Sequence, residues 1–338
     1  MTDEEASMRE LCVIPGDGIG REVVPPAVAV LQKLLPDLRL REAEAGWDCF
    51  QRHGTSVPEA TLEALRACGA GLFGAVSSPS HKVEGYRSAI LRLRQELGLY
   101  LNLRPVRTWP AVSPHAGVDL LILRENSEGL YSGREHWEAD GVAIAERVIS
   151  RAACTRLAQA ASRIARQRQA RRITLVHKAN VLPLTCGLFR DTCRDLLATE
   201  GWGDVLDERL VDVAALQLVE RPEAFDLIVT SNLFGDILSD LASHWGGGLA
   251  LAPSLNLGEQ LALAEPVHGS APDIAGSGRA NPLAAILSAA MLLRFHWHDE
   301  TGATRIECAV ESFLREEGHL DHGLETTRVV GEGVLQRL

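Results

Sequence analysis

The sequence predicts a layered α/β protein, and three observations carry that prediction. Short apolar runs bounded by glycine and proline alternate with stretches of helical periodicity. The chain has 338 residues, enough for roughly two domains at about 150 residues each. Its composition, 46% hydrophobic and 23% charged, is that of an ordinary globular protein with a core to bury.

Leu11–Pro15 is an apolar run ended by Gly16-Asp17-Gly18-Ile19-Gly20, and helical periodicity follows from Glu22 to Leu35, which reads as strand, tight loop, helix. Leu38–Ala45 continues the alternation. Thr61–Cys68 reads as a helix, Gly71–Val76 as a strand, Gly85–Leu97 as a helix and Leu101–Val106 as a strand. Asp119–Arg124 and Arg172–His177 read as buried strands with a helix over Ala153–Gln169 between them. Phe225–Ser231 is a strand feeding a helix from about Gly235 to Ser243. The apolar segment after Pro282 reads as a core helix with the proline in its first turn, where a missing N–H costs nothing. Gly69-Ala70-Gly71-Leu72-Phe73-Gly74 has dinucleotide-fingerprint spacing, but it follows a helix and enters a strand, the reverse of the order phosphate binding requires.

Composition excludes several function classes. With 34 basic against 45 acidic side chains the net charge is −11, and there is no Lys/Arg block, so nucleic acid and anionic membrane are poor partners. The seven cysteines are odd in number and scattered, which reads as reduced thiols in a reducing compartment. The first ten residues carry four acids and no apolar core, unlike a secretory or transit leader. Leu283–Leu293 is too short for the roughly 20 residues of a membrane span. A cytoplasmic location is expected.

Four constellations carry chemistry. Asp236 and Asp240, four residues apart, project from one helical face. Taken alone the pair is a solvated acidic edge or half of a site for Mg²⁺ or Mn²⁺, whose ligands are carboxylate oxygens; Asp212 is a third candidate ligand. Arg87, Ile90, Leu91 and Arg94 fall on one helical stripe, while Arg104 and Arg124 close apolar strands. Singly, each arginine reads as half of a salt bridge; together, beside an acidic cluster, they suit capture of a polyanionic substrate. Tyr131, in a glycine-flanked loop, and Lys178, at a strand end, are candidate proton carriers. In the segment Glu265–Pro282, small residues allow close backbone approach, and Asp273 suits a ribose diol and opposes a 2′-phosphate.

Nearly the whole chain resembles the metal-dependent β-decarboxylating dehydrogenases of isocitrate, 3-isopropylmalate, tartrate and homoisocitrate. The residues that carry the resemblance are Pro15-Gly-Asp-Gly-Ile-Gly20, Arg94 with Asn102-Leu-Arg104-Pro, Arg124-Glu-Asn-Ser-Glu-Gly129, His177-Lys-Ala-Asn180, Asn232-Leu-Phe-Gly-Asp236-Ile-Leu-Ser-Asp240 and the 265–282 loop. The resemblance implies that family's two-domain α/β fold, a mixed sheet flanked by helices and distinct from the Rossmann fold. Residues 1–105 and 246–338 would form the large, cofactor-binding domain, and residues 106–245 the small one. The active site would lie in a cleft completed by a second subunit of a homodimer or a dimer of dimers.

By motif match, Arg94, Arg104 and Arg124 would hold the malate moiety of a tricarboxylate. Asp236 and Asp240, with the partner's Asp212, would hold the metal. Tyr131 and the partner's Lys178 would be the acid/base pair. Asn180, His268, Gly269, Ser270, Ala271, Asp273 and Asn281 would hold NAD, Asp273-Ile274 being similar to NAD-using members. Arg124–Gly129 and His177 are of the isocitrate, tartrate and homoisocitrate type. Ala45–Phe50, Gly54–Pro58 and Ser77-Ser78-Pro79 are similar to homoisocitrate-using members. Arg87 and Ser78 are expected to read the distal carboxylate, since Leu91 stands where some such members carry arginine. The expected reaction is NAD-dependent oxidative decarboxylation of homoisocitrate to 2-oxoadipate, in lysine biosynthesis through 2-aminoadipate; isocitrate, then 3-isopropylmalate or tartrate, are the alternatives.

Overall fold

The computed structural model describes residues 9–81, 83–318, 323 and 325–338. Apart from Arg9 and Glu10, the acidic start of the sequence lies outside them. The chain divides into two compact units. One runs up to Leu97 and adds Trp109–Val112 and Leu249–Leu338; the other comprises Gly98–Thr108 and Ser113–Gly248. The expected boundary at 105/106 cuts through a strand. Leu101–Arg107 pairs along its length with Asp119–Glu125, so the whole strand belongs with the central segment.

In the first unit, Glu10–Gly16 pairs in parallel with Arg39–Glu42 on one side and Ala70–Ala75 on the other. Ala70–Ala75 continues in parallel to Ala262–Pro266, which pairs antiparallel with Pro253–Leu257. The second unit repeats the pattern: Leu101–Arg107 is antiparallel to Asp119–Glu125, and Leu227–Thr230, Ile173–His177 and Leu206–Leu210 follow in parallel. Each unit is thus a mixed sheet flanked by helices, the predicted α/β class. Strands buried on both faces read as unbroken apolar runs, which is why Ala70–Ala75 and Ile173–His177 were legible. The helix predicted after Pro282 is Leu283–Met291, with all nine residues buried and Pro282 as its N-cap.

The fingerprint-like glycines serve packing. A Cβ on Gly71 would lie 2.5 Å from Leu65 and 2.7 Å from Leu263, and one on Gly74 would lie 2.3 Å from the Pro15 carbonyl. The turn after Glu10–Gly16 is built around a buried carboxylate. Asp17, 1% exposed, accepts from the backbone N–H groups of Trp47 at 2.7 Å, Ser77 at 2.8 Å and Asp48 at 3.0 Å. Gly18, at φ +53°, passes so close to the Ser270 carbonyl that a Cβ would sit 2.1 Å from it.

The described part of the hairpin Glu135–Ala139 and Val142–Ala145 was not anticipated, although Asp140-Gly141 is a hairpin turn signal and Gly141 has φ +74°. All seven cysteines are free thiols. No helix among the described residues is long and apolar enough to cross a membrane.

Asp17→Ala leaves three part-buried N–H groups without their acceptor and is expected to lower unfolding stability by about 2 kcal/mol. Calorimetric or denaturant unfolding checks it; a loss within about 0.5 kcal/mol, the range of an ordinary surface substitution, contradicts it.

Candidate active site

In the second unit the chemistry gathers on the helix Asn232–Ser243 and the strand ends facing it. Arg124, 1% exposed at the end of Asp119–Glu125, donates from Nε and Nη2 to Asn232 Oδ1 at 3.0 and 2.7 Å and from Nη1 to Asp236 Oδ1. Its guanidinium lies 5.1 Å from the centre of the Tyr131 ring, and the Tyr131 hydroxyl donates to Asp236 Oδ2 at 2.6 Å. Arg104 reaches the same carboxylate at 3.3 Å and Asp240 at 3.0 Å, while its Nε donates to Asn102 Oδ1 at 2.8 Å. Two arginines and a phenol therefore meet two carboxylates one helical turn apart.

Local backbone choices make this arrangement possible. A Cβ at Gly235 would lie 2.7 Å from Arg124 Cβ and Cγ, so only glycine lets the helix pass over the buried arginine. The Tyr131 turn, Leu130–Ser132, is held through Asn232, whose Nδ2 donates to the Glu128 carbonyl at 3.0 Å. Glu128 in turn accepts from the backbone N–H of Ser150 at 2.7 Å and from its hydroxyl. Asn232 thus fixes Arg124 and the tyrosine loop together. It opens the Asn-Leu-Phe-Gly-Asp motif and was not singled out in the sequence; a polar residue at the head of a helix that carries two expected ligands was the available signal.

Proton affinities follow from these contacts. Burial, and then the Asp236 charge, push the Tyr131 phenol above its usual range. Asp240 is pushed up by partial burial, with Arg104 opposing. Lys178 donates to Asp212 Oδ1 at 2.5 Å, which holds that exposed carboxylate below its usual range. Asp212 is not brought together with Asp236 and Asp240. Among the described residues, three metal-ligating side chains come within 4.8 Å of one another only at Glu44, Cys49 and His53. Asp236 and Asp240 are hard oxygen donors bridged by one guanidinium, a pair that fits a divalent cation and needs a further ligand from elsewhere.

In the first unit, Arg94 is buried and pairs with Glu265 at 2.9 Å, and Asn256 Nδ2 supports the same oxygen at 2.8 Å. Arg94 Nε is buried without a hydrogen-bond partner, and so is His268 Nε2. Burial holds His268 below its usual range. An orphaned imidazole nitrogen beside Gly269, and the exposed Asp273 carboxylate nearby, fit a loop that receives a ligand. Asn281 Oδ1 accepts from the Leu283 N–H at 3.0 Å at the head of the core helix. Asn180 is exposed in the turn after His177.

The placement of Arg87 corrects the sequence reading. The helix begins at Ala89, with Ser88 extended before it, so Arg87 is not on the Arg94 stripe. Its Nη2 donates to Gln95 Oε1 at 2.7 Å, and its carbonyl accepts from the Ser56 hydroxyl at 2.5 Å. Periodicity alone could not register the break, although Gly85, at φ +75°, marks it. Ser78 lies in the preceding loop, which Tyr86 closes by donating its hydroxyl to the Ser77 carbonyl at 3.1 Å.

The family profile described as isocitrate/isopropylmalate dehydrogenase matches residues 10–332. The chain belongs to that family. It is an oxidatively decarboxylating dehydrogenase, and the family uses a nicotinamide cofactor and a divalent metal. The isocitrate/homoisocitrate dehydrogenase of Thermus thermophilus is 51% identical over 97% of this chain and 98% of its own length. The 3-isopropylmalate dehydrogenase of Archaeoglobus fulgidus is 43% identical over 91% of this chain and 92% of its own. The crystal structure of isocitrate dehydrogenase from Methylococcus capsulatus superimposes with a TM-score of 0.91 at 38% identity, covering 98% of this chain and 99% of that one.

His177 gives this family member a titration marker. Its Nδ1 accepts from the Ala179 N–H at 3.1 Å, so Nε2 carries the proton shared with Glu208 at 3.3 Å. Burial lowers its pKa against the pull of Glu208. The sign follows: the imidazole stays neutral in the fold, and the stability this contributes is present above the unfolded value, about 6.5, and lost as pH falls through the folded value. NMR titration of the histidine ring protons should show His177 protonating below about 6.5; protonation above that value contradicts the burial argument.

Proposed function

We propose that this dehydrogenase converts homoisocitrate to 2-oxoadipate and CO₂ with NAD⁺ as hydride acceptor, a step of lysine biosynthesis through 2-aminoadipate. The observation that carries the reading is the meeting of Arg104, Arg124 and Tyr131 on the Asp236 carboxylate. In this proposal Arg94, Arg104 and Arg124 hold the carboxylates of the malate moiety. Asp236 and Asp240, with Asp212 of a second subunit, hold Mg²⁺ or Mn²⁺. When bound, that ion supplies Lewis-acid polarisation of the substrate's C2 oxygen. Lys178, also from the second subunit, accepts the hydroxyl proton as hydride leaves C2. After CO₂ departs, the Tyr131 hydroxyl gives its proton to the substrate carbon. Asn180, His268, Gly269, Ser270, Ala271, Asp273 and Asn281 hold NAD⁺, and the Asp273 carboxylate opposes NADP⁺ by repelling its 2′-phosphate.

Support for homoisocitrate comes from the motifs at Arg124–Gly129 and Ser77–Pro79 and from the Thermus thermophilus relative. Ser78 and Arg87 remain the proposed readers of the distal carboxylate, with Arg87 exchanging Gln95 for substrate. The 3-isopropylmalate reading is favoured by one observation: Ile90 and Leu91, half-buried, lie one turn from Arg94 on its face of the helix.

With Mg²⁺ and NAD⁺, kcat/KM for homoisocitrate should exceed that for isocitrate by about tenfold, one methylene's worth of discrimination. Homoisocitrate should exceed 3-isopropylmalate by more, Arg87→Leu should remove the advantage, and NADP⁺ should be the poorer acceptor. A wild-type preference for 3-isopropylmalate overturns the substrate assignment.

A homodimer or dimer of dimers with shared sites is part of the proposal. Exposed apolar side chains support it: Trp137 is 73% exposed, and Ile237, Leu216 and Val219 are also solvent-facing in the single chain. If Lys178 and Asp236 act from different subunits, each mixed dimer of Lys178→Met and Asp236→Asn chains contains one intact site. Denaturing and refolding an equal mixture of the two inactive variants should then return about a quarter of wild-type activity. No recovery, with mixed dimers demonstrated by mass spectrometry, rejects shared sites.

A further inference from the structure

The segment 268–281 is held by hydrogen bonds from groups outside it. At its start, the Ile19 N–H donates to the Ser270 carbonyl at 2.9 Å, and the Ser77 hydroxyl donates to Ser270 Oγ at 2.7 Å. At its end, Thr327 donates from its N–H to the Gly278 carbonyl at 3.0 Å and from Oγ1 to the Ala280 carbonyl at 2.6 Å. Between them a Cβ added at Gly276 would meet nothing within 4 Å. What reaches this stretch is Glu22, from the first turn of the helix Gly20–Leu34. Its Oε1 accepts from the Gly276 N–H at 2.5 Å and its Oε2 from the Gly278 N–H at 2.8 Å. The two glycines sit at φ +78° and +69°, a conformation other residues adopt only with strain, so their N–H groups face one carboxylate.

We propose that Glu22 is a positioning residue for the cofactor: its carboxylate fixes 268–281 in the shape that receives the adenosine half of NAD⁺. The inference rests on the assignment of that loop to the cofactor made above. A side chain on a packed helix that ties two glycine amides removes loop conformations before the ligand arrives, so the ordering does not have to be met on binding. Both oxygens of the Glu22 carboxylate are taken up by these two glycine amides. Its loss should therefore appear in cofactor affinity and leave turnover at saturating NAD⁺ largely intact.

The test is steady-state kinetics and ADP-ribose calorimetry on the full-length wild type, Glu22→Ala and Glu22→Gln. In Glu22→Ala, KM for NAD⁺ and Kd for ADP-ribose should rise about tenfold, on the scale of two charge-assisted hydrogen bonds partly replaced by water. kcat and KM for the hydroxy acid should stay within about twofold, and ligand-free Tm within a few degrees. Glu22→Gln, which keeps one acceptor oxygen, should fall between. Unchanged ADP-ribose affinity in Glu22→Ala, tighter binding on removal of the negative charge, or a parallel loss of kcat and Tm each overturns the proposal. Wild type that binds no ADP-ribose while still reducing NAD⁺ places the adenosine elsewhere, which overturns the loop assignment itself and this inference with it.

Discussion

A buried guanidinium needs a carboxylate, and the second unit is organised around that requirement. Arg124 is almost fully enclosed, and an uncompensated charge at such a depth costs several kcal/mol. Asp236 supplies the compensation only if the helix Asn232–Ser243 lies close against the strand end. That approach in turn demands glycine at 235. Asn232 accepts from two further donors of Arg124 and passes the constraint on to the Glu128 carbonyl, which fixes the loop carrying Tyr131. One charge thus determines a helix position, a glycine and a tyrosine orientation. Removing Asp236 would leave the buried Arg124 charge without its carboxylate, a loss of about 3–5 kcal/mol, so this half-buried aspartate has a structural part to play.

The first unit meets a comparable constraint with backbone rather than with charge pairs. Gly16, Gly18, Gly20 and Gly74 let strand and loop backbones approach to distances no Cβ permits, and Asp17 collects the N–H groups that such close turns leave without partners. Arg94 is the exception: it is buried and matched to Glu265, as Arg124 is to Asp236.

Much of this was legible because the physics is local. Strands buried on both faces are unbroken apolar runs, and carboxylates four residues apart on a helix share a face wherever the helix packs. What escaped was set by backbone breaks and distant partners. Helical spacing from 87 to 94 looked continuous, yet the chain is extended at Ser88 and the helix starts one residue later, which turns Arg87 toward Gln95. The expected boundary at 105/106 split strand Leu101–Arg107, because its Gly/Pro-rich neighbourhood says nothing about its pairing with Asp119–Glu125. Glu265 was read as part of a ligand loop and instead neutralises Arg94, a contact across 171 residues that no local pattern encodes. The hairpin around Asp140-Gly141 carried a readable turn signal, but its strands expose both faces, so no apolar alternation accompanied it.

The contrast between these anchoring schemes explains how one family accommodates relatives named for isocitrate, homoisocitrate and 3-isopropylmalate. Arginines proposed to grip the shared malate moiety are buried and tied to carboxylates, so replacing one destabilises the fold as well as the site. The groups proposed to read the variable arm are held otherwise. Arg87 is exposed and bonded to a neutral amide, Ser78 sits in a loop, and Ile90 and Leu91 are only half-buried. Substitutions at exposed positions usually change stability by no more than about 0.5 kcal/mol, an order of magnitude below the loss at a buried ion pair. Mutation at the positions proposed to read the variable arm can therefore proceed at little cost to stability while the buried ion pairs stay in place.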